Sequence, residues 1–147
     1  MSVFAPEMVN LEMSATDKVD AIRQLAQLVV AAGRGTDVEQ IVKDVIARDE
    51  MGTPQVEGVA IPHARTSGVS TASVAVSRLT TGVVFDPEEG PATTLFMILV
   101  PDSASDEHIV ILSGLARRLM NPEFTEFLRN ASSATELASV LGQGDNN

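Results

Sequence analysis

The chain has 147 residues, of which 44% are apolar, and a formal net charge of −10; these values favour one folded domain with a real core. The acidic balance argues against nucleic acid as a partner, because phosphate backbones bind to basic surfaces. The chain has no cysteine, which excludes disulfides, thiolate metal sites and a cysteine nucleophile, and no Trp or Tyr, so it is poorly equipped to stack on sugars or bases.

Two amphipathic helices are predicted in the first third, after a short strand around "VNLEM". Thr16 or Asp17 caps the first helix, which the "GRG" segment ends. Thr36 and Glu39 form a capping-box pattern for the second helix, which ends near Met51–Gly52. Helical spacing predicts that both helices bury one apolar face. The buried positions are Ile22, Leu25, Ala26 and Val29 in the first helix, and Val38, Ile41, Val42, Val45 and Ile46 in the second.

Strands are predicted in the middle of the chain. The apolar run Val59–Ile61 ends at Pro62 and His63, "ASVAVSRL" alternates as a strand does, and "GVVF" indicates a further strand. The segment "ATTLFMILVP" is apolar on both faces, which predicts a central buried strand.

Three helices are predicted after the strands. Ser105 is the candidate N-cap of the first, Asn121–Pro122 opens a short one through Phe127, and Ser133 with Glu136 opens the last. Their inward positions are Ile111, Leu112, Leu115, Ala116 and Leu119 in the first, and Leu137, Val140 and Leu141 in the last.

This order of elements predicts a single α/β domain over residues 1–141, with a mixed central β-sheet sandwiched between helices. The terminal "GQGDNN", residues 142–147, is predicted to be a flexible tail or the start of a linker. The longest apolar run, Leu95–Val100, is too short to cross a bilayer, and the first residues lack the pattern of a signal peptide. We therefore expect a cytoplasmic domain without direct membrane insertion.

His63 is the first candidate for chemistry, because it directly follows Pro62 in "EGVAIPHART". Proline fixes its own φ and restricts the residue before it, so the approach to the imidazole is stiff. A stiff approach suits a reacting side chain, but an ordinary strand-to-loop turn with a packed histidine has the same pattern.

His108 is predicted to lie in the first turn of a helix that follows the central strand, on the face shared by Ile111, Leu112 and Leu115. Ligands of α/β proteins favour this edge of the sheet, and a helix N-terminus offers N–H groups to an anion. A contact to phosphate is one interpretation; taken alone, a core-edge histidine bonded to a backbone carbonyl is the favoured one.

Arg48 lies on the buried face at the end of the second helix. Its guanidinium suits phosphate oxygens, although a cation at a helix C-terminus with its stem on apolar surface is the simpler interpretation. Arg65 and Thr66 follow His63 and are weaker candidates for the same site.

Competing chemistries have little support. The two histidines lack the carboxylate spacing of a metal centre, no G-x-S-x-G elbow is present, and "GRGTD" lacks the lysine of a phosphate-binding loop. The remaining candidate chemistry is that of a histidine that itself acts as the nucleophile.

The segment "RDEMGTPQVEGVAIPHAR" resembles the phosphohistidine motif of the fructose/mannitol-type EIIA domains of the bacterial phosphoenolpyruvate-dependent sugar phosphotransferase system. That motif reads roughly R-E-x-x-G-S/T-T and then G-I/V-A-I-P-H. "DEHIVILSGLARRL" resembles the second signature of the family, H-I/L-x-x-L-x-x-L-A. Gly52, Pro54 and Glu57 depart from the usual pattern in the segment before the histidine. The carboxylate of Glu57 could tune how the site meets a phosphoryl donor. The matching positions of the first motif are Arg48, Thr53, Gly58, Ala60, Ile61, Pro62 and His63.

The resemblance implies that His63 accepts a phosphoryl group on Nε2 from HPr or an HPr-like domain, and passes it to an EIIB domain linked to a membrane EIIC. It further implies that His108 stabilises the phosphate by a hydrogen bond, that Arg48 and Thr53 contact the phosphoryl group, and that no metal or cofactor takes part. Two alternatives remain: a nitrogen-type regulatory EIIA, which keeps the histidine but signals through binding partners, and a non-catalytic interaction module. A metal-dependent hydrolase is a more distant one.

Overall fold

A computed structural model describes residues 3–103 and 107–144 of the chain. The order of elements is strand, two helices, five strands and three helices. Their bounds are β1 (Phe4–Met13), α1 (Lys18–Ala31), α2 (Val38–Asp49), β2 (Gln55–Val56), β3 (Val59–Ala60), β4 (His63–Thr66), β5 (Ser73–Val84), β6 (Pro91–Pro101), α3 (Glu107–Leu119), α4 (Pro122–Asn130) and α5 (Ala134–Gly144).

The strands form a mixed six-stranded sheet in the order β1-β5-β6-β3-β2, with β4 also paired to β6. β1 is parallel to β5, β5 is antiparallel to β6, and both β3 and β4 run parallel to β6. β3 and β4 are thus two consecutive stretches along the same edge of β6, separated by Ile61 and Pro62. The segment that carries His63 therefore lies directly against the central strand β6.

Helices cover both faces of the sheet, as the sequence predicted. Alternate residues of β6 lie on opposite faces of the sheet. Leu95, Met97 and Leu99 pack with α1 and α2. Phe96 and Ile98 pack with α3, α4 and α5. This alternation follows from the two-residue period of a strand, and it explains why β6 is apolar throughout. The predicted fold class, a single α/β layer architecture with a mixed sheet, is confirmed.

Most predicted helix starts are confirmed, and one is wrong by a residue. Asp17 caps α1, and the side chain of Asn121 caps α4. The N-cap of α2 is Asp37, whose carboxylate accepts from the Gln40 N–H, rather than the predicted pair Thr36 and Glu39. Tertiary contacts decided this, because the Thr36 N–H donates to Gly68 O and Glu39 forms an ion pair with Arg23. The N-cap predicted at Ser105 lies outside the described residues.

Four boundaries differ from the predictions. β1 begins at Phe4, five residues before the short strand predicted around "VNLEM". β5 is one strand through the two predicted segments, with its register interrupted between Arg78 and Val83. α4 continues to Asn130. α5 continues to Gly144, so residues 142–144 are helical where a tail was predicted. Strand pairing and helix packing extend elements past the point where local pattern fades.

Candidate functional site

His63 is the first residue of β4 and is paired with Ile98 of β6. The chain therefore resumes strand pairing at His63, where the sequence pattern suggested a turn into a loop. Because Ile61 and Ile98 both belong to the cluster under α3–α5, the two-residue period places the imidazole on that face. The residue is 6% exposed, so the ring is held within the edge of the fold rather than projecting from it.

The Nδ1 atom of His63 lies 2.9 Å from the carbonyl oxygen of Ile61. A carbonyl oxygen only accepts, so this hydrogen bond requires the proton on Nδ1. In the neutral ring the lone pair then lies on Nε2, which is the nitrogen able to act as a nucleophile. The contact thus selects one tautomer and fixes the ring orientation.

The short segment before His63 is held at three points. The Ile61 N–H donates to Pro54 O at 2.9 Å, and the Ile98 N–H donates to Pro62 O at 3.0 Å. Pro62 is itself buried, and its ring fixes its own φ. These contacts orient the Ile61 carbonyl, which in turn orients the imidazole.

His108 lies in the first turn of α3, the helix that follows β6. α3 packs against β4 and β6, so its first turn lies over the same sheet face as the His63 side chain. The backbone therefore brings the two histidine positions to one face and one end of the sheet. The side chain of His108 lies outside the described residues, so its predicted contact with phosphate stays a prediction.

Arg48 and Thr53 flank the turn that ends α2. The half-buried Arg48 donates to Gly52 O at 2.9 Å, and the Thr53 hydroxyl donates to the Asp49 carboxylate. α2, which carries Arg48, covers the face of the sheet opposite to α3 and to the His63 side chain. The predicted phosphoryl contacts of both residues stay predictions.

Arg65 and Thr66 differ in their surroundings although they are adjacent. Arg65 is exposed, and its register with Val100 places it on the same face as His63. Thr66 is fully buried, and its hydroxyl accepts from the Gly68 N–H, which gives it a structural role in the turn after β4.

Sequence reasoning missed Asp49 and Lys18. The Asp49 side chain is 6% exposed, and it accepts from Lys18 Nζ at 2.6 Å and from the Thr53 hydroxyl. The available signal was the acid directly after Arg48 in the first motif, where the family pattern has an acid as well. That pattern did not reveal its partner, because Lys18 is 31 residues away in sequence.

Among the side chains that the structure describes, which do not include those of Glu107 and His108, no group of three or more His, Asp or Glu is arranged to hold a metal ion. The helices within residues 3–103 and 107–144 are also too short or too polar to cross a bilayer.

Comparisons with known proteins identify the family of the chain. Residues 2–144 match the family model "Phosphoenolpyruvate-dependent sugar phosphotransferase system, EIIA 2". The chain is 38% identical to a fructose-specific EIIA component of Haloferax volcanii over 139 residues, covering 93% of this chain and 90% of that protein. It is 30% identical to a nitrogen regulatory protein of Pseudomonas aeruginosa over 141 residues, covering 95% and 92%.

The fold of the chain is also similar to that of a solved structure. The crystal structure of the nitrogen regulatory protein IIA-Ntr from Neisseria meningitidis matches with a TM-score of 0.84 at 29% identity, covering 95% of this chain and 96% of that one. The family match extends over the whole described fold, from β1 to the end of α5. The chain belongs to the type 2 EIIA family of the phosphoenolpyruvate-dependent sugar phosphotransferase system, and it is a phosphoryl-transfer component of that system.

Proposed function

We propose that the chain is a histidine phosphocarrier that accepts a phosphoryl group on His63 from HPr or an HPr-like domain. It then passes the group to an EIIB domain, which serves a membrane EIIC during uptake of a fructose- or mannitol-like sugar. The observation that carries this proposal is the contact of Nδ1 with Ile61 O at 2.9 Å, which leaves the lone pair on Nε2. The cytoplasm is the location that the family resemblance implies for this exchange.

The step itself needs little from the protein beyond position and charge. The Nε2 lone pair forms the new N–P bond while the bond between phosphorus and the donor breaks, and the Nδ1 proton stays on the ring. The Ile61 carbonyl stabilises the positive charge that develops on the imidazole as the bond forms. Burial of His63 (6% exposed) also limits the access of water to the imidazole ring.

His108 and Arg48 are proposed to bind the oxygens of the transferred group. The His108 position lies at the start of α3, where backbone N–H groups favour an anion. Arg48 has further N–H donors besides the one that bonds Gly52 O, and a guanidinium suits phosphate oxygens. Few cationic contacts suit a carrier, because a group held too firmly is not passed on.

Apolar surface near the site supports a protein rather than a sugar as the partner. Met51, after α2, is 78% exposed; Ile109 and Val110, in the first turn of α3, are 51% and 72% exposed. These side chains lie on the two segments that lead to the site from opposite faces of the sheet. The net charge of −10 complements the basic rim that the family resemblance implies for HPr.

The experiment is reconstitution with phosphoenolpyruvate, enzyme I and HPr, followed by phosphorus NMR of the product. We expect one acid-labile phosphate on Nε2 of His63, no label on His63→Ala, and slower but measurable labelling of His108→Ala. An acid-stable product, or label retained by a folded His63→Ala variant, would refute the assignment. An unchanged rate in His108→Ala would reduce His108 to a packing role.

Regulation by protein binding is the second candidate function, and the similarity to two nitrogen regulatory proteins favours it. Transfer from the labelled chain to purified EIIB domains separates the two. Discharge to EIIB with sugar phosphorylation supports transport, whereas a label that HPr supplies and EIIB does not remove supports regulation. A non-catalytic interaction module would take no label at all.

A further inference from the structure

Residues 50–52, the exposed part of the turn that joins α2 to β2, bury no apolar side chain. Glu50, Met51 and Gly52 are all exposed, and Met51 has 78% of its surface in solvent. Burial of apolar area therefore does not hold residues 50–52 in place, and in the rest of the turn only the half-buried Pro54 contributes to it. Its conformation depends on polar contacts, and the best buried of these belong to Asp49.

Asp49 uses its two carboxylate oxygens on two different segments. Oδ2 accepts from Lys18 Nζ, at the first residue of α1, and Oδ1 accepts from the Thr53 hydroxyl, at the end of the exposed turn. With 6% of its side chain exposed, Asp49 is nearly desolvated, so both contacts are made in a medium that strengthens them. The carboxylate ties the turn to the scaffold.

A continuous series of contacts leads from Asp49 to the imidazole. Thr53 is followed by Pro54, whose carbonyl accepts from the Ile61 N–H at 2.9 Å. The Ile61 carbonyl then accepts from His63 Nδ1, also at 2.9 Å. Each member restricts the next, because Pro54 and Pro62 remove backbone freedom on both sides of the contact.

We propose that Asp49 and Thr53 are positioning residues for phosphoryl transfer, which hold Pro54 O where it fixes Ile61 and thereby the Nε2-reactive tautomer of His63. This inference rests on the proposed function of His63 and deepens it. It assigns the Thr53 hydroxyl to Asp49 rather than to the phosphoryl group. A misplacement of the imidazole of about 1 Å is enough to slow a transfer reaction by up to about 100-fold.

The test compares Asp49→Asn, Thr53→Val and the double variant with wild type in the full chain. We expect each single variant to be phosphorylated by HPr about 10-fold more slowly at saturating HPr, with little change in the HPr concentration for half-maximal rate. The double variant should be no slower than the slower single variant, because both changes break the same series of contacts. Thr53→Ser keeps the hydroxyl and should restore the rate.

Two readouts on the unphosphorylated protein report the mechanism directly. Long-range ¹H–¹⁵N spectra of the His63 ring should show the Nδ1–H tautomer losing population in Asp49→Asn and Thr53→Val, and the Ile61 amide should exchange with solvent faster. Asp44→Asn is the matched control, since Asp44 lies on the same helix and its carboxylate bonds only to Gln40 among the contacts described for it. It should leave both readouts and the rate unchanged.

The outcomes separate this inference from the proposed function. A slow Thr53→Val variant beside an unaffected Asp49→Asn variant would overturn the inference and make Thr53 a direct phosphoryl contact. Unchanged tautomer and Ile61 exchange in all variants would also overturn it, while His63 labelling could still stand. If wild type took no label from HPr, the proposed function would fail; the two NMR readouts would still decide whether Asp49 and Thr53 set the state of the ring.

Discussion

The central strand β6 and the segment that carries His63 lie side by side but differ in how much of each is held by apolar packing. Residues Leu95–Val100 of β6 are all 0% exposed, and they are packed on both faces by helices. The segment from Asp49 to His63 includes an exposed turn, a two-residue strand pair and a hairpin turn. Val59, Ala60 and Ile61 of this segment belong to the core, but its exposed turn and the His63 ring are oriented by a few hydrogen bonds and one partly buried ion pair.

The difference teaches how this fold separates stability from function. Apolar burial is strong but non-directional, so it suits a scaffold that has to resist unfolding. Hydrogen bonds contribute less net stability but fix direction, which a nucleophilic ring requires. We therefore expect changes in β6 to lower stability, and changes in the hydrogen bonds that orient His63 to lower the transfer rate.

Phe96→Ala tests the scaffold and should have the largest effect on stability. Phe96 is 0% exposed, so truncation removes its buried area and leaves a cavity, at a cost of about 3–5 kcal/mol. Urea unfolding measures the loss, and Met120→Ala is the control, because Met120 is 76% exposed and should change stability by less than about 0.5 kcal/mol. A loss below about 1 kcal/mol in Phe96→Ala would contradict the tight packing of β6.

Lys18→Met tests the partly buried ion pair that joins α1 to α2 at the start of the His63 segment. Removing the ammonium leaves the Asp49 carboxylate buried with one partner fewer, which we expect to cost about 1–3 kcal/mol in unfolding free energy. Arg23→Met is the matched control, since Arg23 also joins α1 to α2 through Glu39, but with side-chain exposures of 37% and 73%. An exposed pair contributes about 0.5 kcal/mol or less. Equal losses of unfolding free energy in Lys18→Met and Arg23→Met would show that the Lys18–Asp49 pair contributes no more than the exposed Arg23–Glu39 pair.

Glu57→Asn tests the hairpin turn and should have the smallest effect. Glu57 has φ of 51° and Gly58 has φ of 78°, so both central residues are left-handed, as a type I′ turn requires. Asn tolerates this conformation better than Glu, so the variant should gain about 0.5–1 kcal/mol in unfolding free energy.

The control for Glu57→Asn is Glu88→Asn, because Glu88 is exposed and its φ lies outside the left-handed region. This control variant should show no gain in unfolding free energy. Glu57 precedes β3, at the end of the extended segment away from His63, so the rate of labelling should stay at the wild-type value. A changed rate would instead support the influence on donor encounter that the sequence suggested for this acid.

Much of the fold was predictable because local patterns and tertiary packing agree. The apolar stripe Ile22, Leu25, Ala26 and Val29 is 0% exposed at every position, and β6 is central as its two-sided apolarity predicted. The errors arose where long-range contacts decided the outcome. The α2 cap moved to Asp37 because Thr36 bonds Gly68, and the chain resumed strand pairing at His63 because β6 offered an unpaired edge.

The sequence by itself determined which residues carry the family motifs, which faces are buried and that a stiff proline approach precedes His63. Only the tertiary structure decided which nitrogen of that ring bears the proton, because Ile61 O is brought to Nδ1 by contacts that include Pro54 and β6. It alone also joined Lys18 to Asp49 and Asp49 to the turn before the site. Periodicity reports which side of an element is apolar, whereas hydrogen-bond partners distant in the chain are chosen by how whole elements pack.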